Sequence, residues 1–387
     1  MIELDLNHDE IPIGTKIKII GVGGAGNNAI NTMIQYDLKC VEFIAVNTDI
    51  SDLKKSRAQI KVQMGREVTR GLGAGSNPDI GRKAAEESRE ELKKVLKDTD
   101  LLFIAAGMGG GTGTGASPII AALAKEMNIL TIAIVSSPFN CEGKKKIINA
   151  EKGLKKLKDF VDTLIVIPNE KIKLLGEDLT LIDAYKKTDN ILYEAAKAVS
   201  DIIHFSGYVN VDFADVKTVM SNHGMALIGS AQAEGENRAI DAINMALNNP
   251  LLTEMSVEKA KGILINITAG TDFKLNEFET INNEIVKNTN DDDDIVIGVI
   301  FDDELSGKLH LTAILTGLES SFLQKKDDEI ISSEDIVEDD DEDDISKALS
   351  RIKSADSPDL HKKPQEDENE FSGRQMEIPA FIRKFSN

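Results

Sequence analysis

The chain has few residues that could cross-link it, ligate a metal or carry it into a membrane. Its two cysteines, Cys40 and Cys141, show neither metal-site nor redox spacing, which points to a reduced cytoplasm. The five histidines are scattered, so no zinc site and no other protein-built metal site is expected. Residues 1–15 are acidic and lack the basic-then-apolar pattern of a signal sequence. The longest uncharged stretch, residues 101–124, carries glycine and threonine through its middle, so direct membrane insertion is not expected. Positive charge is in deficit, with 45 Lys and Arg against 66 Asp and Glu, and the formal charge of −21 disfavours nucleic acid as a partner. No Gly-Lys-Ser/Thr triplet occurs anywhere, which excludes a Walker phosphate loop.

What is present is a glycine loop of another kind. Residues 107–118 read GMGGGTGTGASP, with five glycines and two threonines at positions 109–115. The loop follows a strand-like apolar run (LLFIAA, 101–106) and precedes a helix-like one. Glycines let a backbone approach a ligand and adopt positive φ, so successive N–H groups can converge on phosphate oxygens at a helix N-terminus. The hydroxyls of Thr112 and Thr114 would add donors. A second loop, IIGVGGAGNNAI at 19–30, places Gly21, Gly23 and Gly26 in the G-x-G-x-x-G spacing of dinucleotide folds. That spacing keeps an NAD-binding oxidoreductase open as an alternative. Against it, only Asn47 and Asp49 stand where such a fold wants an acidic residue, and two phosphate loops on one sheet edge suit a triphosphate better. A binding module without catalysis is the third reading.

Strand-like and helix-like runs alternate from Lys16 to about Asn169, with IGRKAAEESREELKKVL (80–96) reading as one helix, the pattern of a doubly wound parallel α/β sheet. Ligands of such sheets sit at the carboxyl ends of the strands, where both glycine loops fall. The organisation expected is an N-terminal extension (1–15), a nucleotide-binding domain (16–177), a long central helix (178–205) and a second α+β domain (206–320). Its last strands alternate apolar and polar residues, which predicts a sheet with one solvated side. The linker expected at 321–374 is acidic: residues 334–344 carry nine acidic side chains in eleven positions, a composition that predicts disorder. In the terminal peptide (375–387), Ile378, Phe381, Ile382 and Phe385 share one helical face behind Pro379, a pattern for docking in a partner's groove.

These motifs resemble the tubulin/FtsZ family of GTPases. The similarity covers about residues 16–318 and the tail, and its most specific pieces are GGGTGTG (109–115), PFNCEGKKK (138–146), NVDFADVKTVM (210–220), NITAGTD and IPAFIRK. The resemblance implies GTP with Mg²⁺ as ligands. It implies a nucleotide lined by Gly23, Gly24, Ala25, Gly26, Asn27 and Asn28, with phosphates held by Gly107, Gly110, Gly111, Thr112, Gly113 and Thr114. Ala74 and Gly75 would close over the γ-phosphate, Glu142 and Lys146 would reach the ribose and phosphate side, and Tyr185 and Asp189 would meet the base. Chemistry agrees on Asp189, since a carboxylate can accept from both N1–H and the exocyclic amine of guanine, whereas adenine has an acceptor at N1. Tyr185 stands four residues earlier on the same helix face and could stack on the base.

Two departures from the family pattern are expected to alter nucleotide affinity: Cys141 replaces a usual aromatic, and Lys146 a usual arginine with its bidentate fork. Asp212 and Asp215, with Asn210, are the catalytic candidates, although paired carboxylates at a helix start also serve as plain capping groups. Asp189 and His204 lie fifteen residues apart on the predicted helix, about 22 Å at ~1.5 Å per residue, so aspartates beyond it would not reach the same nucleotide. The resemblance implies head-to-tail stacking, in which they complete the site of the next copy and hydrolysis depends on polymerisation. It further implies a cytoplasmic protein at the midcell division site, with a tail that binds membrane-associated adaptors of the FtsA or ZipA kind through Ile378, Pro379, Phe381 and Ile382.

Overall fold

The computed structural model describes residues 14–176, 179–205, 211–221, 224–252, 260–287, 289 and 293–318. The expected linker and terminal peptide lie outside the described residues, as do Asn210 and all but two positions of the N-terminal extension. In chain order the regular elements are β1 (Ile17–Val22), α1 (Gly23–Gln35), β2 (Val41–Asn47), α2 (Ile50–Lys55), β3 (Ile60–Gln63), α3 (Arg66–Thr69), α4 (Pro78–Glu87) and α5 (Arg89–Leu96). Next come β4 (Leu101–Gly107), α6 (Thr112–Glu126), β5 (Leu130–Ser137), α7 (Lys144–Lys158), β6 (Thr163–Pro168), α8 (Asn169–Ile172), α9 (Leu181–His204) and α10 (Phe213–Met220). The last are β7 (Gly224–Glu234), α11 (Arg238–Leu247), β8 (Gly262–Ala269), α12 (Leu275–Val286), β9 (Asp294–Phe301) and β10 (Lys308–Leu318).

All ten strands belong to one sheet, ordered β3-β2-β1-β4-β5-β6-β7-β10-β8-β9. Every pairing from β3 to β7 is parallel, as the alternation of apolar and amphipathic runs predicts, and only β10 runs against its neighbours. The two expected units share this sheet: Thr163, Leu164 and Ile165 of β6 pair with Gly224, Met225 and Ala226 of β7. Helices cover both faces. One apolar layer gathers Ile20, Val22, Ile104, Ile120, Leu154, Ile243 and Ile281 under α4 to α7, α11 and α12; the other gathers Ile19, Ile30, Phe103, Leu192, Val199 and Val219 under α1, α9 and α10.

Two sequence expectations are corrected. The solvated side predicted for the last strands does not extend to β8, all eight of whose residues are buried, while β9 stays partly exposed. Two of the buried polar residues find partners on the helices: Asn266 Nδ2 donates to the Ala198 carbonyl of α9 at 3.2 Å, and the Thr316 hydroxyl to the Val219 carbonyl of α10 at 2.9 Å. Alternation marks a polar seam between sheet and helix here, since buried polar groups are tolerated once hydrogen-bonded. The single helix suggested by IGRKAAEESREELKKVL is broken into α4 and α5 at Ser88, whose hydroxyl accepts the Gly65 N–H at 3.1 Å. Among the described residues, no helix is long and apolar enough to cross a membrane.

The packing of α4 on α6 sets the position of the glycine loop. A Cβ on Gly115 would stand 2.0 Å from the Pro78 carbonyl oxygen, and one on Gly81 2.3 Å from that of Gly111. Both obstacles are backbone and cannot rotate away, so Gly115→Ala is expected to lower stability by about 2–3 kcal/mol. Urea unfolding followed by circular dichroism measures this, and a loss under 0.5 kcal/mol would show that the helices part without cost.

Candidate functional site

A cleft of about 240 Å³ opens at the carboxyl ends of β1, β4, β5 and β6. Gly24 and Ala25 of α1 line one side, with Gly107, Met108, Gly110 and the first turn of α6 beside them. Ser136, Ser137, Pro138, Glu142, Lys146, Asn169 and Tyr185 complete the wall. Of the helices that start here, α1 and α6 have no side-chain cap: the residues before their first turns are Val22 and Gly111. In contrast, α2, α4 and α9 are capped by the side chains of Asp49, Asn77 and Thr180. Two helix N-termini with uncapped first-turn N–H groups converge on one cleft, and both dipoles favour an anion there.

The glycines divide by role. Gly110 has open space where a Cβ would stand, and it lines the cleft. Gly26, Gly107, Gly111 and Gly113 instead admit the protein's own chain: a Cβ on each would fall 2.2 Å from Ala105 O, 2.6 Å from Ala25 Cβ, 2.8 Å from Ala74 Cβ and 2.6 Å from Gly107 O respectively. Gly23, at φ +72°, turns β1 into α1. Much of the glycine signal therefore reports close packing of the loops that build the cleft.

Of the residues expected from sequence, Gly24, Ala25, Gly107, Gly110, Gly111, Thr112, Gly113, Glu142, Lys146 and Tyr185 meet at the cleft wall. Thr114 does not: it is buried, and its hydroxyl accepts the Gly109 N–H at 2.8 Å, holding the loop in shape. Gly26 is buried where α1 packs on β4, and Asn28 is exposed. Ala74 packs over Gly111, while Gly75, at φ +56°, stands exposed at the tip of that loop.

Asn27 is the most telling residue. It is 2% exposed, and both its amide nitrogen and its oxygen lack a hydrogen-bond partner. A buried unpaired amide costs free energy that a ligand carrying a donor and an acceptor would recover. Asp189 has a related imbalance, as burial raises its carboxyl from the usual range to about 7. Tyr185 packs edge-on against Phe139 at a centroid distance of 5.4 Å, and burial, with Glu142 beside it, raises its phenol. Glu142 accepts the Phe139 N–H at 2.9 Å and pairs with Lys146 at 3.0 Å, so the two charges hold one another across the wall.

The sequence reading missed Met108, Ser136, Ser137, Pro138 and Asn169. Their signal was positional, because each stands at the carboxyl end of a parallel strand or directly after it. Asn169 is buried and its Oδ1 accepts the Thr188 hydroxyl at 2.9 Å, joining the cleft to α9.

Asp212 and Asp215 are absent from the cleft wall. They form a reciprocal cap on α10: Asp212 Oδ1 accepts the Asp215 N–H at 2.9 Å and Asp215 Oδ2 accepts the Asp212 N–H at 3.2 Å. Both are exposed, and each keeps its second carboxylate oxygen out of the cap. The helix α9, which brings Tyr185 to the cleft wall, runs unbroken for 24 residues.

Residues 16–176 match the model of the Tubulin/FtsZ family GTPase domain, and residues 224–319 match that of the FtsZ family C-terminal domain. The cell division protein FtsZ of Buchnera aphidicola subsp. Baizongia pistaciae is 42% identical over 390 residues, covering 98% of each chain. The FtsZ of Azotobacter vinelandii is 48% identical over 311 residues, covering 80% of this chain and 79% of its own. Among solved structures, an empty FtsZ dimer from M. jannaschii superposes with a TM-score of 0.76 at 40% identity, covering 79% of this chain and 89% of that one. A GTPγS-bound CetZ2 protofilament from Haloferax volcanii shares the fold with a TM-score of 0.70 at 22% identity, covering 83% of this chain and all of its own.

The Asp189 carboxyl is expected to titrate near pH 7 in the ligand-free protein. Because its folded pKa is raised, ionisation costs stability as pH climbs from the unfolded value near 4 to about 7. Asp189→Asn should therefore stabilise the empty protein more at pH 8 than at pH 4. Thermal unfolding at the two pH values tests this, and an equal shift at both would show that Asp189 is not desolvated.

Proposed function

The chain belongs to the tubulin/FtsZ family of GTPases, and from that premise we propose that it is a self-assembling GTPase of the bacterial division ring, hydrolysing GTP between stacked subunits. The observation that carries the reading is the convergence of two uncapped helix N-termini on one cleft. The triphosphate lies against the first turns of α1 and α6, where main-chain N–H groups and both dipoles meet its charge. The loop carrying Ala74 and Gly75 closes over the γ-phosphate. At the other end, Asp189 accepts from N1–H and the exocyclic amine of guanine, Asn27 pairs with the remaining base edge, and Tyr185 covers the ring. Glu142 and Lys146 flank the ribose and phosphates.

Mg²⁺ would accompany the nucleotide, needing few protein ligands and supplying charge neutralisation at the phosphates. Asp52 is a hard-oxygen group that suits it, with Oδ2 at 3.4 Å from the Cβ position of the cleft residue Gly24. A carboxylate beside an anion site would otherwise repel the ligand.

Hydrolysis needs water to attack the γ-phosphorus as the bond to the β–γ bridging oxygen breaks, giving GDP and phosphate. Asp212, Asp215 and Asn210 of the neighbouring subunit orient that water, and a carboxylate oxygen that the cap leaves available takes its proton. The chain would then be an incomplete enzyme alone, and the head-to-tail contact that completes it does not close, so it propagates as a filament. The cytoplasmic filament is tethered at midcell through the terminal peptide, by adaptors of the FtsA or ZipA kind.

Purified protein should sediment with GTP and not with GDP or NAD, with phosphate release rising more steeply than protein concentration. Sedimentation independent of nucleotide, or selective NAD binding, would sink the reading. Asp215→Ala should bind GTP with normal affinity yet turn it over at least about a hundredfold more slowly, even when mixed into wild-type polymer. Undiminished turnover removes that residue from the site. Deleting residues 377–387 should leave GTPase activity intact and abolish adaptor capture, and retained capture would place that contact elsewhere.

A further inference from the structure

Thr48, which follows β2, is fully buried and joins the phosphate end of the cleft to a loop on its rim. Its hydroxyl oxygen lies 2.6 Å from Thr112 Oγ1, the side chain that opens α6 and lines the cleft. Its carbonyl accepts the Gly73 N–H at 3.2 Å, and Ile50 N–H donates to the Gly71 carbonyl at 3.1 Å. Asp49 and Leu72 form an antiparallel bridge between these two bonds. Residues 48–50 thus hold the base of loop 70–77 by a short ladder. The loop is wound tightly, with Arg70, Gly71, Gly73, Gly75 and Ser76 all at positive φ. Its Ala74 Cβ lies 2.8 Å from the Cβ position of Gly111.

The hydroxyl pair has a directional consequence. Each threonine has one proton to donate, and a 2.6 Å separation means that one oxygen donates to the other. A phosphate oxygen can only accept. Once Thr112 donates to phosphate, the proton between the two hydroxyls has to come from Thr48, and the chain Thr48 to Thr112 to phosphate is polarised in one sense. In the empty cleft either sense is allowed.

The geometry points to Thr48 as a positioning residue that ties phosphate binding at Thr112 to the order of loop 70–77. It rests on the nucleotide reading above and adds how the rim would register a terminal phosphate. Valine at this position keeps the shape, removes the proton and breaks the relay.

Hydrogen exchange read by mass spectrometry, with GDP or a non-hydrolysable GTP analogue on the full chain, tests it. In the wild type the analogue should slow exchange at amides 71–75 about tenfold relative to GDP, the worth of one charge-assisted hydrogen bond. In Thr48→Val this difference should fall below about twofold while both nucleotides still protect the first turns of α1 and α6, and Thr48→Ser should restore it. Where the valine variant fails to fold, Thr48→Ala makes the same comparison. A variant that keeps the wild-type loop response overturns the proposal, as does one that loses protection at α1 and α6 along with the loop. If neither nucleotide protects α1 or α6 in the wild type, the nucleotide reading itself fails, which is a separate result.

Discussion

Contact between backbones, with no side chain between them, is the constraint on which the rest of the cleft depends. Gly115 lets α6 lie on the start of α4, Gly81 lets α4 lie on the loop before α6, and Gly26 lets α1 lie on β4. Each approach is closer than any Cβ allows, so these three contacts fix where α1 and α6 begin. Only then do two N-termini face one space, and only then can two dipoles act on one ligand. The chemistry expected at the cleft is thus a consequence of packing several residues away from it. A loop rich in glycine for flexibility would not hold that geometry; this one is rich in glycine because it is crowded.

The same crowding explains what could and could not be seen in the sequence. Parallel strands buried on both faces read as plain apolar runs, and 101–106 and 130–135 were legible for that reason. The polar positions of β8 and β10 misled because a solvated face and a hydrogen-bonded seam have the same alternation. Asn266 and Thr316 reveal their burial only when α9 and α10 supply the carbonyls they bond. Ser88 hid the break between α4 and α5, since its reason, the Gly65 N–H, comes from 23 residues away.

The site divided in a similar way. Glycines at 107, 110, 111 and 113 could be read as a phosphate loop, but which of them leave open space and which abut protein depends on neighbours far off in sequence. Thr114 looked like a donor to phosphate and is an internal brace. The unpaired amide of Asn27 and the desolvated carboxyl of Asp189 are properties of an environment, and no motif encodes them. Serines 136 and 137 had no signal beyond standing at the end of a strand. Asp212 and Asp215 form the cap that the plain reading allowed, and they stand apart from the cleft wall.

The missing caps on α1 and α6 have a thermodynamic consequence as well. A helix start satisfied by its own side chain keeps that stabilisation whatever is bound, whereas one left for a ligand gains it only on occupancy. Part of this protein's folding free energy is in that sense held in solution, as RT ln(1 + [L]/Kd). Its melting temperature would then report on the nucleotide pool as well as on its core. A substitution that weakens binding without touching one apolar contact would behave in a cell as an unstable protein, cleared by proteolysis when nucleotide runs short.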